Sequence, residues 1–216
     1  TVTLSCPMPD VEIRFTLDGS DPTATSTKYL SPLSITTTTI VRAKAFKANY
    51  LPSNAIGRSY FINERKPSLP VFSLSTDEEN FFSDQKGILV EGTNGISGNC
   101  MNYPVNWNQD WERPLSIEFF DSTGKFIFQT NGGTQVMGGC SRQWGQKSLA
   151  LICRSEYGSS TLDYKFFKSR NYNNCNSIML RNSGNDWCYT MMRDAFIQYL
   201  VKDRMDIDYQ EYCPNF

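Results

Sequence analysis

The chain of 216 residues contains no histidine. This absence excludes Ser-His-Asp and Cys-His catalysis within the chain, together with every histidine-ligated metal site. No two cysteines are spaced as Cys-x-x-Cys, which argues against a cysteine-rich zinc site. No stretch approaches about 18 consecutive apolar residues, so the sequence predicts no transmembrane segment.

A strong excess of charge is also missing, since 21 Lys and Arg stand against 22 Asp and Glu and the formal net charge is −1. This balance gives no support for nucleic acid or an anionic membrane as a partner. Hydrophobic residues at 39% and charged residues at 20% are typical of a soluble globular protein. Aromatic residues are frequent, with 14 Phe and 11 Tyr, and favour β-rich packing.

Seven cysteines are scattered along the chain: Cys6, Cys100, Cys140, Cys153, Cys175, Cys188 and Cys213. Several lie beside Gly, Asn or Ser in predicted loops, where an exported protein can place disulfides, and buried free thiols fit the same scatter. An odd count leaves at least one cysteine unpaired. The chain opens on Thr1 without a methionine or a signal peptide, which we interpret as a piece cut from a longer precursor.

Residues 1–62 have the pattern of a small all-β unit. Dense turn signals separate three β-prone runs; the runs are 13–17, 40–46 and 56–62, and the turns are 18–22 and 49–53. Short strands with turns at this spacing favour a β-sandwich. Asp18 and Asp21 in the first turn could contact calcium, but hydrogen bonds within the turn are the favoured interpretation.

The charged stretch 63–70 contains two prolines, so we place a domain boundary there. Beyond it the sequence predicts a strand at 71–74, a short helix carrying Phe81 and Phe82, a strand at 87–91 and a long polar loop at 92–108. Thr76 and Glu79 have the spacing of a capping box, which predicts the start of that helix.

Trp107 and Trp111 lie four residues apart around Asp110. Two exposed rings would form a platform for a sugar, whereas two rings closing over the core are the favoured interpretation. Asp110 and Glu112 could also be a carboxylate pair for glycoside hydrolysis. That hypothesis ranks last, because strand neighbours two apart point the same way without implying catalysis.

The segment 131–148, called here the glycine-rich segment, contains five glycines and two cations, Arg142 and Lys147. It lies between a predicted hairpin at 115–128 and a predicted strand at 148–153. Glycine gives a strand no side chain to pack, so the segment is predicted to be a loop. Free backbone N–H groups and nearby cations suit phosphate, and a bulged hairpin with surface cations is the alternative.

The last predicted elements are a strand at 177–181, a helix at about 190–202 and a strand over 207–212. Apolar residues recur at helical spacing in the helix and form a stripe that is predicted to face the core: Met191, Met192, Ala195, Phe196, Tyr199 and Leu200. Three polar residues can cap its N-terminus, namely Asn185, Asp186 and Thr190.

Residues 13–23 (IRFTLDGSDPT), 38–46 (TTIVRAKAF) and 50–53 (YLPS) resemble the C-terminal β-sandwich domain of chitobiase and β-hexosaminidase. The resemblance implies a mainly β, immunoglobulin-like sandwich over residues 1–66. Such domains are accessory modules of secreted bacterial proteins, so it also implies an exported bacterial protein, whether periplasmic, at the cell surface or secreted. None of the recurrent residues of these domains is catalytic.

An ordered set of motifs in the rest of the chain resembles the spore-coat kinase-like (CotH) family. The motifs are 111–121 (WERPLSIEFFD), 138–142 (GGCSR) with 146–148 (QKS), 154–158 (RSEYG), 180–186 (LRNSGND) and 192–196 (MRDAF). The resemblance implies an α+β, partial kinase-like domain over residues 67–216, whose C-terminal half is absent. The complete protein is expected to transfer phosphate from ATP, with Mg²⁺, to serine residues of a protein substrate.

The CotH resemblance also implies roles for five residues. Lys147 would be the main phosphate-contacting cation, with Arg142 and Arg181 as further contacts. Gly138 and Gly139 would let the backbone approach the phosphates.

Two departures from the family limit the expected activity. Met137 stands where many relatives carry histidine before the paired glycines. The metal-binding aspartates of the active kinases belong to the absent later half, so we predict no metal site and name no catalytic residue. The fragment is expected to be inactive, to bind neither ATP nor Mg²⁺ tightly, and to expose apolar surface where that half would pack. The alternative function is a non-catalytic extracellular module that associates with carbohydrate or another surface.

Overall fold

The structure is a computed structural model that describes residues 1–65, 68–168 and 170–206. Within these residues the strands form three sheets, all of them antiparallel. None of the helices in this part of the chain is long and apolar enough to cross a membrane. The described residues are therefore mainly β. This agrees with the β-sandwich predicted for residues 1–66, whereas the partial kinase-like α+β domain expected over residues 67–216 stays a prediction.

The first sheet has four strands in the order β2-β1-β3-β4. They are β1 (Glu12–Thr16), β2 (Thr27–Lys28), β3 (Thr39–Phe46) and β4 (Ile56–Tyr60). Phe15 is buried while its neighbours in β1 are less so, as the alternation of apolar and polar residues predicts. In β3 both Val41 and the adjacent Arg42 are buried, and Arg42 pairs with Asp21. The three β-prone runs predicted in this part of the chain are confirmed.

Beyond the first sheet the chain forms β5 (Val71–Ser75), helix α1 (Glu78–Phe82), the hairpin strands β6 (Ile96–Gly98) and β7 (Met101–Val105), and a 3₁₀ turn at Asn106–Asn108. The predicted helix with two phenylalanines is confirmed. The predicted strand at 87–91 is wrong, because Ile88 and Leu89 donate backbone hydrogen bonds back to α1 rather than to a neighbouring strand. The predicted loop at 92–108 is wrong where it contains the hairpin and the turn.

The predicted capping box at α1 is also wrong. The hydroxyl of Thr76 donates to the carbonyl of Pro114 at 2.6 Å and accepts from the amide of Asn80 at 2.8 Å. The N-cap is Asp77, whose side chain makes no capping hydrogen bond, and Glu79 forms an ion pair with Lys86 instead. Thr76 therefore connects the start of α1 to Pro114, which lies 38 residues further along the chain.

The second sheet has five strands in the order β11-β10-β9-β8-β5. Its remaining members are β8 (Arg113–Phe120), β9 (Phe126–Met137), β10 (Ser148–Ile152) and β11 (Ser177–Leu180). The predicted hairpin at 115–128 and the predicted strands at 148–153 and 177–181 are confirmed. Asp121 fixes the turn between β8 and β9, since its Oδ1 atom accepts from the backbone N–H groups of Thr123 and Lys125.

Two clusters of buried side chains lie against the second sheet. The larger is centred on Phe119, whose ring contacts those of Phe72, Tyr164 and Phe166. Each such buried side chain contributes about 1.5–3 kcal/mol of hydrophobic stabilisation. The smaller, called here the tryptophan cluster, consists of Ile88, Val105, Trp107 and Val136.

Glu118 joins the first sheet to the second. It lies on β8, is 2% exposed and accepts a hydrogen bond from the hydroxyl of Ser59 on β4. Ser59 also contacts the hydroxyl of Ser73 at 2.7 Å. Burial raises the pKa of Glu118, while Ser59 and the charge of Arg58 act in the opposite direction. A buried polar contact therefore holds the two sheets together, whereas the division of the chain at residue 66 stays a prediction.

The last described helix is α2 (Arg193–Val201), which begins three residues later than predicted. Its predicted apolar stripe does not face the core: Phe196, Tyr199 and Leu200 are each more than half exposed. The prediction is wrong because none of the described elements packs over that face. Asp186 supplies the cap, since its carboxylate accepts from the backbone N–H groups at the start of the helix. The predicted strand at 207–212 lies outside the described residues.

Candidate functional site

The first part of the glycine-rich segment is strand rather than loop. Strand β9 continues to Met137. Gly138 then has φ +108°, the chain turns through a short 3₁₀ segment at Cys140–Gln143, and β10 follows at Ser148. The prediction of a loop is therefore wrong for residues 131–137 and holds for the part between the two strands.

Gly132 and Gly133 lie in β9, where neighbouring groups occupy the space that a side chain at either position would need. A Cβ atom on Gly132 would lie 2.7 Å from the carbonyl oxygen of Ile152. One on Gly133 would lie 2.2 Å from Oε1 of Glu112. These glycines allow close packing within the molecule and take no part in the turn that carries the cations.

The ammonium group of Lys147 is enclosed by neutral partners. It donates to the carbonyl oxygens of Arg142 at 2.8 Å and Trp144 at 3.1 Å, and it lies 3.8 Å from the centroid of the Trp107 ring. No ion pair joins Lys147 to a carboxylate within the described residues. Burial lowers the pKa of Lys147 to about 8, and the charge of Glu91 opposes that shift only partly.

Arg142 is buried and holds the turn in place. Its Nε atom donates to the carbonyl of Gly138 at 2.6 Å, and a second nitrogen donates to the carbonyl of Trp107 at 3.0 Å. The third nitrogen lies 3.5 Å from the exposed carboxylate of Asp110. The guanidinium thus contacts both the turn and the tryptophan cluster. Gly138 and Gly139 are exposed, and a Cβ atom on Gly139 would meet nothing within 4 Å.

Arg181 lies just after β11 and forms an ion pair with Asp194 of α2. Its guanidinium also lies against Gly184, where a Cβ atom would come within 3.0 Å of it. The neighbouring helix cap is charged as well, because Arg193 pairs with Asp186 at 3.0 Å. Burial opposes ionisation of Asp186, but hydrogen bonds from Thr190 and from three backbone N–H groups outweigh it and lower its pKa to about 2.

Asn182 connects these parts, although no sequence pattern predicted a role for it. It is 1% exposed, accepts from the Ser148 hydroxyl at 2.9 Å and from the backbone N–H of Gly184 at 2.9 Å, and donates to the carbonyl of Gln146 at 2.7 Å. Buried polar groups in proteins are normally hydrogen-bonded, and this amide holds together the segments that contain Gln146, Ser148 and Gly184. An asparagine at the end of a predicted strand, before Ser and Gly, was the available signal.

A disulfide between Cys100 and Cys140 anchors the start of the 3₁₀ turn to the hairpin of β6 and β7, with the two Cα atoms 5.1 Å apart. Four other cysteines are free: Cys6, Cys153, Cys175 and Cys188. Cys213 lies outside the described residues. The sequence suggested disulfides in loops without naming a pair. The Cys100–Cys140 disulfide is such a pair, and it lies in the candidate site.

Four of the five predicted phosphate-binding residues form one connected group: Gly138, Gly139, Arg142 and Lys147. Arg181 reaches this group only through its neighbour Asn182. All three cations have partners within the protein, and two of them, Arg142 and Lys147, lie in the turn. Whether phosphate binds there stays a prediction.

Other sequence hypotheses concern the tryptophans and the carboxylates near them. Trp107 is 6% exposed and belongs to the core, as the favoured interpretation predicts. Trp111 is half-buried, with the guanidinium of Arg113 4.7 Å from its ring centroid. Asp110 contacts Arg142, while Glu112 binds Arg154 and Tyr157. The two carboxylates therefore serve different partners and do not form a pair that faces a common ligand.

In the first turn, Asp18 accepts from the backbone N–H and the hydroxyl of Ser20, which agrees with the favoured interpretation. Asp21 instead pairs with Arg42 and Lys44. Across the described ranges, His, Cys, Asp and Glu side chains form no group of three or more that could hold a metal ion.

Comparison with protein families gives a match in the N-terminal part of the chain. Residues 1–56 match the chitobiase/beta-hexosaminidase C-terminal domain family. The match extends from the N-terminus to the first residue of β4 and confirms the first of the two resemblances. Neither the curated proteins nor the solved structures gave a match to this chain. The kinase-like interpretation of the remaining residues stays a prediction.

Proposed function

We propose that the second sheet and its turn are the phosphate-binding lobe of an exported protein similar to the CotH kinase-like family, with Lys147 as the phosphate-contacting cation. One observation carries the proposal. The Lys147 ammonium is half-buried, its direct contacts are neutral, and no described carboxylate pairs with it. A bound phosphate would supply the missing negative charge.

The surroundings of Lys147 support a role toward an anion. At Gly139 no side chain would keep a ligand from the exposed turn, whereas the hydroxyl of Ser141 lies beside Gly138. Arg142 is enclosed, and we assign it the positioning of that turn rather than contact with phosphate. Arg181 is partly exposed and could exchange Asp194 for a phosphate oxygen.

The residues present fit the phosphate part of Mg-ATP and do not fit its metal. Magnesium is held by carboxylates, but Asp186 caps α2 and Asp194 pairs with Arg181. We therefore assign no transfer step to this chain, and the proposed activity toward protein serine would need metal ligands from beyond the described residues. The disulfide and the matched domain favour an oxidising, extracytoplasmic location.

The proposal is tested by titrating the chain with sodium tripolyphosphate, without magnesium, in a calorimeter. We expect binding that is weakened about tenfold or more in Lys147→Met, because a charge-assisted hydrogen bond is lost. Lys125→Met is the matched control, since Lys125 is exposed in the turn between β8 and β9. Equal affinities for the wild type and Lys147→Met would contradict the proposal.

A second candidate function is a carbohydrate-associated module. The observation that favours it is the match of residues 1–56 to a domain named after two carbohydrate-processing enzymes. The platform first considered for it is not available, because Trp107 is buried. Another surface must therefore bind the saccharide.

A further inference from the structure

An open cleft of about 480 Å³ lies between the first sheet and the second. Its walls come from both, with Arg42 and Asn54 on one side and Asp77, Asn131 and Tyr157 on the other. Sites for small ligands typically have volumes of about 300–1,000 Å³ and often lie between domains. None of the five residues predicted to bind phosphate lines this cleft.

The base of the cleft is held by a network of charges. Asp21 accepts from Arg42 at 2.9 Å and forms an ion pair with Lys44. The backbone N–H of Asp21 donates to Oδ1 of Asp77 at 2.7 Å. The network links the two walls and pairs both cations of the lining with the carboxylate of Asp21. Each cation therefore has a partner within the protein.

The remaining charges decide which class of ligand fits. The lining carries two cations, Arg42 and Lys44, against three carboxylates, so its formal charge is −1. Arg42 and Lys44 both pair with Asp21, and neither engages the other two carboxylates, those of Asp77 and Glu156. These repel an anion and accept hydrogen bonds from a neutral molecule. Glu156 and Asn54 are exposed, and neither side chain hydrogen-bonds to another residue in the described ranges.

Apolar groups line the same cleft beside these polar ones. Leu51 is 94% exposed, and Pro52 and Pro114 also contribute to the walls. A ligand that matches this lining needs many hydroxyl donors, no negative charge and a hydrocarbon face. A sugar ring has all three properties.

We propose that the cleft binds a neutral oligosaccharide, with Asn54 and Glu156 bonding to its hydroxyl groups and Leu51 packing against its C–H face. This inference rests on the second candidate function and gives it a site. It is independent of phosphate binding at Lys147. The two proposals therefore fail separately.

The test is a calorimetric titration of the full chain with three tetrasaccharides: cellotetraose, chitotetraose and a sulfated heparin fragment. We expect a neutral sugar to bind and the sulfated one not to. The double variant Asn54→Ala with Glu156→Ala should bind the neutral sugar about tenfold or more weakly. Its matched control, Asn173→Ala with Glu78→Ala, changes exposed residues outside the cleft and should bind like the wild type.

Each outcome is decisive. If the wild type binds no neutral sugar, both the carbohydrate-associated function and sugar binding in the cleft are contradicted. If the double variant binds the neutral sugar as the wild type does and has the same thermal unfolding midpoint, the carbohydrate-associated function stands. The cleft is then not the binding site. Preference for the sulfated sugar overturns the charge argument. If the double variant is less stable than the control, Leu51→Ser supplies the same test from the exposed rim.

Discussion

The Nζ atom of Lys147 lies 3.8 Å from the centroid of the Trp107 ring, well within the range of about 6 Å for a cation–π contact. The indole is buried in the tryptophan cluster, while the carbonyl of the same residue accepts from Arg142. One core residue therefore supports both cations of the turn. The stability of the core and the geometry of the proposed site are coupled through it.

Trp107→Ala should lower the free energy of unfolding by about 3–5 kcal/mol, because it leaves a cavity in the tryptophan cluster. Trp107→Phe keeps an aromatic ring and should cost less. Urea unfolding monitored by circular dichroism measures both. A loss below about 1 kcal/mol for the alanine variant would show that the ring is not part of the core.

Gly132→Ala should destabilise the chain by about 1–3 kcal/mol, because the new methyl group meets the carbonyl oxygen of Ile152 in the adjacent strand. Gly145→Ala is the matched control. Gly145 is exposed, a Cβ atom there would have only an ordinary contact with Trp187 at 3.9 Å, and the variant should change stability by less than about 0.5 kcal/mol. Equal unfolding midpoints of the two variants would contradict the packing account of the glycine in β9.

The glycines illustrate what local sequence can and cannot predict. The hairpin at β8 and β9 follows from two β-prone runs around a turn, and the sequence predicts it directly. The end of β9 does not follow in this way. Gly132 and Gly133 lie in the strand because Ile152 and Glu112 approach them from elsewhere in the chain, and no local pattern contains that information.

Glu118→Gln tests the buried contact between the sheets. Because burial raises the pKa of Glu118 above its unfolded value of about 4.3, the neutral acid is favoured in the fold. Its stabilising contribution is present at low pH and is lost as pH rises through the folded pKa. The glutamine variant stays neutral, so its stability relative to wild type should increase from pH 4 to pH 8.

Urea unfolding at pH 4, 6 and 8 measures this effect. Glu78→Gln, which alters an exposed carboxylate on α1, is the control and should show no such trend. A stability difference between Glu118→Gln and wild type that is constant with pH, or that falls as pH rises, would contradict burial as the cause.

The Cys100–Cys140 disulfide should contribute about 4 kcal/mol, as expected from chain entropy for a separation of 40 residues. Replacing both cysteines with serine should lower the unfolding midpoint and make it insensitive to dithiothreitol. Cys188→Ser, at an exposed free thiol, is the control. A wild-type unfolding midpoint that does not change with reductant would argue against the disulfide.

The site shows a second limit of prediction. The sequence identifies the cations and glycines of the site by residue type. Four of them form one connected group in the structure: Gly138, Gly139, Arg142 and Lys147. Their partners are not recognisable, because Lys147 binds two carbonyl oxygens and a distant ring, and Asn182 is buried by tertiary packing. The apolar stripe of α2 shows the converse: periodicity predicts the helix, but not what covers its face.

The most direct test of the proposed function is the pKa of Lys147, measured by NMR from the side-chain carbon resonances of ¹³C-labelled lysine, with Lys147→Met identifying its signal. We expect a pKa near 8 in the free chain. The pKa should rise toward the ordinary value of about 10.4 when tripolyphosphate saturates the site, because an anion favours the charged ammonium. A pKa of Lys147 that does not change on addition of tripolyphosphate would rule out phosphate binding at this ammonium.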